Sequence, residues 1–149
     1  MAPTLSSEVT RKEHAMTVLE TARTTMTAYA DALLARGEYA QFLAPNVSLQ
    51  VMGTDQEAHG RDAVAGMIRF LHEQAFDASP QIKCLLVDGE RAALEADFVG
   101  RHVAEFAGKP ASGKEIRVPY SVVYDLEGDQ ITALRIYQLM DGILHQLED

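Results

Sequence analysis

From Arg91 to Met140 the chain reads as three extended runs in which apolar and polar positions alternate. Two breaks separate them, Lys109-Pro110-Ala111-Ser112-Gly113 and Glu127-Gly128-Asp129. Val, Ile, Tyr and Phe fill the runs because branched and aromatic side chains suit a pleated surface. Gly, Pro, Ser and Asp hold the breaks because they accept or preset turn dihedrals. The pattern predicts an antiparallel meander. Gln81 to Val87 reads as a further strand, turning into the meander at Asp88-Gly89.

The first half has a different period. Ala15, Leu19, Ala22, Met26, Tyr29 and Leu33 recur at spacings of three and four, which predicts one long helix with a single buried stripe ending before Gly37. Thr10 followed by Glu13 has the form of a capping box at its start, with residues 1–9 expected as a flexible arm. A short helical turn is expected over Glu38 to Leu43, stopped by Ala44-Pro45. Val47 to Met52 alternates as a strand, Gly53 to Gly60 reads as a loop, and Arg61 to Ala75 as a helix with Val64, Met67, Ile68 and Leu71 on one face. Asp77 to Pro80 then breaks the chain. Helices come early and strands late, so the fold class expected is α+β rather than alternating βαβ. Residues 10–149 are expected to form a single domain.

At 149 residues the chain is long enough to bury a core, and 47% apolar with 23% charged residues is ordinary for a globular domain. A net charge of −9 argues against a nucleic-acid partner, which needs clustered Lys and Arg. No apolar stretch approaches the ~20 residues of a membrane span. The N-terminal residues lack a hydrophobic signal core, so a cytoplasmic location is expected. The single Cys84, in the apolar run Ile82 to Val87, reads as a buried inert thiol. His14, His59, His72 and His145 have no partners at metal-ligand spacing, and neither a metal nor a cofactor is expected.

Candidate chemistry centres on the first meander strand. Alternation puts Ala93, Glu95, Asp97 and Val99 on one face, and Leu94, Ala96 and Phe98 on the other. If the carboxylate face lines a pocket, lost solvation and mutual repulsion raise a pKa and make Asp97 a candidate base. If it faces solvent, Leu94 and Phe98 form the core instead. His102 falls opposite Asp97 by simple alternation, and a bulge at Gly100 would bring it to the same side. On the next run Tyr120 shares a face with Val118, Val122 and Tyr124. On the last, Ile136 shares one with Leu134 and Gln138. Gln50 shares one with Ser48 and Met52. Pro119 cannot donate a ladder hydrogen bond, so its strand is expected to lie at an edge or to bulge there.

Three segments, His59 to Val64, Gly100 to Ile116 and Gly128 to Tyr137, resemble the SnoaL-like polyketide cyclases of the NTF2-like superfamily and, more distantly, the limonene-epoxide hydrolases. The resemblance spans roughly residues 15 to 141. It implies a cone in which a curved, mostly antiparallel sheet wraps around a long N-terminal helix and two shorter helices. It also implies a homodimer paired through the outer sheet faces, where Leu94, Ala96, Phe98, Val123 and Ile131 would supply the apolar surface. Asp97 falls where epoxide hydrolases carry a catalytic Asp, and Glu95 where they carry its Arg partner. Ile136 occupies the position of the acid/base Asp of the final strand, and Leu49 and Val51 those of the water-holding tyrosine and asparagine. These replacements argue against epoxide hydrolysis.

Two readings follow. One is acid/base chemistry, an aldol cyclisation or isomerisation of a hydrophobic polyketide-like or polycyclic ligand. Asp97 would be the base and Tyr120 or His102 the donor, with Tyr29, Gln50, Met52, Glu95, Ile136 and Gln138 as substrate contacts. The other is a non-catalytic small-molecule-binding protein on the same scaffold. Met26 and Met67 are expected in the pocket wall in either case.

Overall fold

The computed structural model describes residues 5–148. Helix α1 runs Leu5–Leu34, so it begins ahead of Thr10, which lies inside the helix and does not cap it. Of the arm expected over residues 1–9, positions 1–4 lie outside the described residues and the rest is helical. A 3₁₀ turn, Tyr39–Phe42, leads into β1 (Leu43–Val51). The expected loop contains a short strand, β2 (Glu57–His59), before α2 (Arg61–Arg69). Helix α2 widens into a π-helical turn over Phe70–Ala75. The meander follows as β3 (Phe76–Asp88), β4 (Arg91–His102), β5 (Glu115–Glu127) and β6 (Gln130–Tyr137). A third helix, α3 (Leu139–Gln146), lies beyond the elements the sequence pattern placed.

The six strands form one curved sheet in the order β2-β1-β6-β5-β4-β3. All neighbours are antiparallel except β1 and β6, which pair parallel. Strand β3 continues through the expected Asp77–Pro80 break, since an edge strand tolerates Pro80. Pro119 sits in an interior strand, but pairing of β5 with β6 starts only at Ser121. The flank of Pro119 away from β4 is therefore a local edge, and no bulge is needed.

The core lies between the concave face of the sheet and the helices. Ala22, Met26, Tyr29 and Leu33 of α1 are buried, as the stripe requires, whereas Ala15 is exposed in the projecting first turns. Thr25 donates from Oγ1 to the Asp129 carbonyl at 3.0 Å and ties α1 to the β5–β6 turn. In β4, Ala92, Leu94, Ala96 and Phe98 point inward and are buried. In β5 the inward set is Ile116, Val118, Tyr120, Val122, Tyr124 and Leu126. Gly100 sits where β3 and β4 approach closely, because a Cβ there would overlap the Asp77 carbonyl oxygen and the Ala78 Cβ.

Candidate functional site

A cavity of about 320 Å³ opens between the concave sheet face and the helices. That lies at the lower end of the range for small-molecule sites, roughly 300–1,000 Å³. Its floor is Leu94 of β4, Tyr120, Val122 and Tyr124 of β5, Leu134 and Ile136 of β6, and Leu49 and Val51 of β1. Tyr29 and Leu33 of α1, Met67, Ile68, Leu71 and His72 of the α2 segment, and α3 complete the walls. Exposed Phe70 and buried Phe106 both line it, with ring centroids 6.5 Å apart and nearly parallel planes.

Polar atoms in this lining are few. The rings of Tyr29 and Tyr124 meet edge-on at 5.8 Å, and those of Tyr29 and Tyr39 at 6.4 Å. Tyr39 contacts the Ala65 carbonyl at 3.5 Å. The hydroxyls of Tyr29, Tyr120 and Tyr124 have no such partner among the described residues. Burial raises all three phenol pKa values, and proximity to one another adds to this for Tyr29 and Tyr124. They therefore remain protonated donors at any physiological pH. Such a trio can meet an oxygen on an otherwise apolar molecule, including one that gains negative charge.

Of the residues expected at the site, Tyr29, Tyr120, Ile136 and Met67 line the cavity. Met26 is buried in the core behind it, and Met52 is surface-exposed at the end of β1. Gln50 points outward, paired with Glu57 on β2 and Arg135 on β6, because the inward set of β1 is Val47, Leu49 and Val51. Gln138 lies past the end of β6, exposed and left-handed (φ 68°) at the start of α3, so strand alternation no longer governs it.

Asp97 and Glu95 are on the convex face, outside the cavity, and Glu95 is exposed. Asp97 is only 6% exposed because two cations fold over it. Its carboxylate is 3.2 Å from Lys83 Nζ and accepts from Arg117 Nη1 at 3.0 Å. Lys83 is the extra residue where the β3–β4 register slips between Ile82 and Cys84. The expectation of a raised pKa is overturned. Burial pushes the carboxyl up, but hydrogen bonds and charge from Lys83 and Arg117 outweigh it and hold the carboxyl below its usual value. A second carboxylate on the same face, Asp125, takes a bidentate pair from Arg135 at 2.8 and 2.9 Å and is likewise held low.

His102 is fully buried, and no bulge brings it there, since β4 and β5 pair without a slip from Arg91 to Arg101. Plain alternation places it on the side of Phe98. Its ring stacks on Phe76 at 5.1 Å and its Nδ1 lies 2.9 Å from Ser112 Oγ, so it braces the β4–β5 loop and does not line the cavity. Leu94, Ala96, Phe98 and Ile131 also point inward, so only Val123 of the five expected outer apolar residues is on the outer face. Cys84, expected buried, is exposed.

The residue that sequence reasoning passed over is His72. It continues the Val64–Ile68 stripe by one more step of four, a polar residue on the apolar face of its helix. That was the available signal. It lines the cavity beside Phe98, ring centroids 5.2 Å apart, and burial lowers its pKa, with Arg36 adding to the effect.

An α+β cone whose curved sheet and helices enclose a largely apolar cavity is the architecture of the NTF2-like class. Residues 23–147 match the model of the SnoaL-like polyketide cyclase family. The chain belongs to that family. Solved structures agree on the fold. A candidate SnoaL-like polyketide cyclase from Jannaschia sp. CCS1 is 16% identical, with 87% of this chain and 93% of that one covered and a TM-score of 0.76. TsrD from Streptomyces laurentii is 21% identical over 86% and 95%, with a TM-score of 0.70. A candidate ketosteroid isomerase from Kribbella flavida is 23% identical over 83% and 81%, with a TM-score of 0.64. No curated protein matches in sequence.

Proposed function

We propose that the chain is an enzyme performing acid/base chemistry, an aldol cyclisation or an isomerisation, on an uncharged, hydrophobic, polyketide-like or polycyclic molecule held in this cavity. The observation that carries the reading is the set of phenol donors, Tyr29, Tyr120 and Tyr124, in a lining that is otherwise nearly all apolar. These hydroxyls have no protein partner among the described residues yet keep accessible surface, unlike the sealed ring nitrogens of His72 and His102, so a ligand oxygen can meet them. Donors of this kind meet a carbonyl oxygen and bind it more strongly as it becomes an enolate, which lowers the barrier to breaking the neighbouring C–H bond.

Native mass spectrometry of protein purified from its own host tests the proposal. The expected result is a retained neutral, multi-ring molecule that fresh protein converts to an isomer or dehydrated product. Repeated recovery of a molecule that is never converted supports the second reading, a non-catalytic binding protein, which Ile136 in place of the family's acid/base Asp favours. A homodimer and a cytoplasmic setting belong to the same proposal. Exposed Leu86, aligned through Ala93 with Val123 on the outer face, supports the first. Sedimentation showing only a 16.4 kDa species at micromolar concentration would remove the dimer.

A further inference from the structure

Exposure marks where the cavity meets solvent. Of its lining residues only Gln56, Phe70 and Ala107 are exposed, so the mouth lies between the β1–β2 loop, the π turn and the β4–β5 loop. Tyr29, Tyr120 and Tyr124 are all buried. The hydroxyl donors therefore lie inside, and the mouth carries an aromatic ring.

Phe70 follows Met67 by three residues, on the flank of its helix that borders the cavity. It is 41% exposed, yet its ring is not left loose. It lies nearly parallel to that of Phe106, with 28° between planes and 6.5 Å between centroids. Phe106 is fixed in turn. Its ring meets Phe76 edge-on at 5.2 Å, and its backbone closes a tight turn with Lys109 through two hydrogen bonds of 2.9 Å. Ala107 and Gly108 take the positive φ values, 51° and 79°, that a type I′ turn requires at both central residues. An alanine adopts that conformation only at a cost, which the surrounding contacts must offset. With this backing behind it, Phe70 keeps its free surface for the opening.

We infer that Phe70 is the specificity-determining residue of the mouth, selecting a molecule whose outer end is a flat aromatic ring over one whose rings are saturated. The inference rests on the reading of the cavity as a site for a neutral, carbonyl-bearing molecule and adds the orientation of that molecule. Its oxygen goes inward to the phenols, and its aromatic ring stacks on Phe70. Covering the exposed phenyl stabilises any apolar ligand in proportion to the area buried, so that contribution does not discriminate. Stacking does. An aromatic ring has a negative face and a positive edge, and two offset rings attract beyond the area they bury. A puckered saturated ring has no such quadrupole and meets the phenyl through its hydrogens alone.

The test pairs 2-tetralone with trans-2-decalone, which share a carbon skeleton and a carbonyl but differ in having one aromatic ring or none. Titration calorimetry on wild type is expected to show 2-tetralone binding about fivefold tighter. Phe70→Leu keeps an apolar side chain at an exposed position and should bring the two ketones within about twofold by weakening 2-tetralone alone. In NMR spectra of the wild-type complex, nuclear Overhauser contacts from the Phe70 ring should reach the aromatic protons of 2-tetralone and not the C3 methylene beside its carbonyl. Equal or tighter binding of 2-decalone by wild type overturns the inference. So does a Phe70→Leu variant that weakens both ketones alike, or a reversed pattern of contacts, and each of these leaves the cavity standing as a site. Binding of neither ketone by wild type would remove the cavity reading and the role of Phe70 with it.

Discussion

Asp97 and Phe98 are neighbours in one strand, and they face opposite environments. On the convex face, Asp97 and Asp125 are each gripped by cations, Lys83 with Arg117 and Arg135 with Arg91, so their polar atoms are satisfied by the fold. On the concave face, the hydroxyls of Tyr29, Tyr120 and Tyr124 line the cavity without a hydrogen-bond partner among the described residues. The charged outer face works on stability, and the sparse polar atoms of the inner face are available to something else. Perturbed carboxylates therefore point away from the site here, although as a rule perturbed titratable groups gather at functional sites.

The largest expected effect comes from the inner face. Phe98→Ala removes a fully buried ring packed against Phe76 and His72, and should cost about 3–5 kcal/mol in urea unfolding. One residue away, Asp97→Ala should cost clearly less, because Lys83 and Arg117 are half-exposed and regain water. Equal losses at the two positions would erase the distinction between the faces.

Acid should act mainly through the outer face. Asp97 and Asp125 have folded pKa values below those of the unfolded chain, so the unfolded chain takes up protons first as pH falls. Stability from these pairs is present above the ordinary Asp value of ~3.9 and is lost as pH drops through the lower folded values. Unfolding titrations of Asp97→Asn should show a shallower loss below about pH 5 than wild type. His72 contributes in the neutral range with the same sign. Its folded pKa is depressed, so stability falls as pH drops below the unfolded value of ~6.5. The smallest effect should be that of Tyr120→Phe, which removes a hydroxyl without a partner and should change stability by less than about 0.5 kcal/mol while weakening binding of an oxygen-bearing ligand. A large loss of stability would mean that Tyr120 has a structural partner.

The meander and the long helix were legible in the sequence because period alone separates strand from helix, the cone followed from the family resemblance, and Leu94, Ala96 and Phe98 already marked the inner side of β4. Alternation does not say which of two faces a helix will cover, however, and the family position of Asp97 pulled the phase the wrong way. Gln50 went wrong for the same reason, with the added uncertainty of a strand whose partner β6 is far away in sequence. Helix α3 was too short to show a period, and the Gly142 within it is there for packing, since a Cβ would meet Val118 Cγ1. His72 was legible only through its place four residues beyond Ile68 on an apolar stripe, since its spacing from the other histidines carries no signal.

The parallel seam between β1 and β6 has a kinetic consequence. Strands β3 to β6 pair with their neighbours in the chain, so each hairpin closes a short loop. The seam joins Leu49 to Leu134 and must close most of the chain at once. Loop entropy places that closure late in folding and makes it slow relative to the hairpins. Leu49 and Val51 face Leu134 and Ile136 across it, so the cavity does not exist until the seam forms. A molecule bound against both strands should therefore slow unfolding and leave the folding rate unchanged.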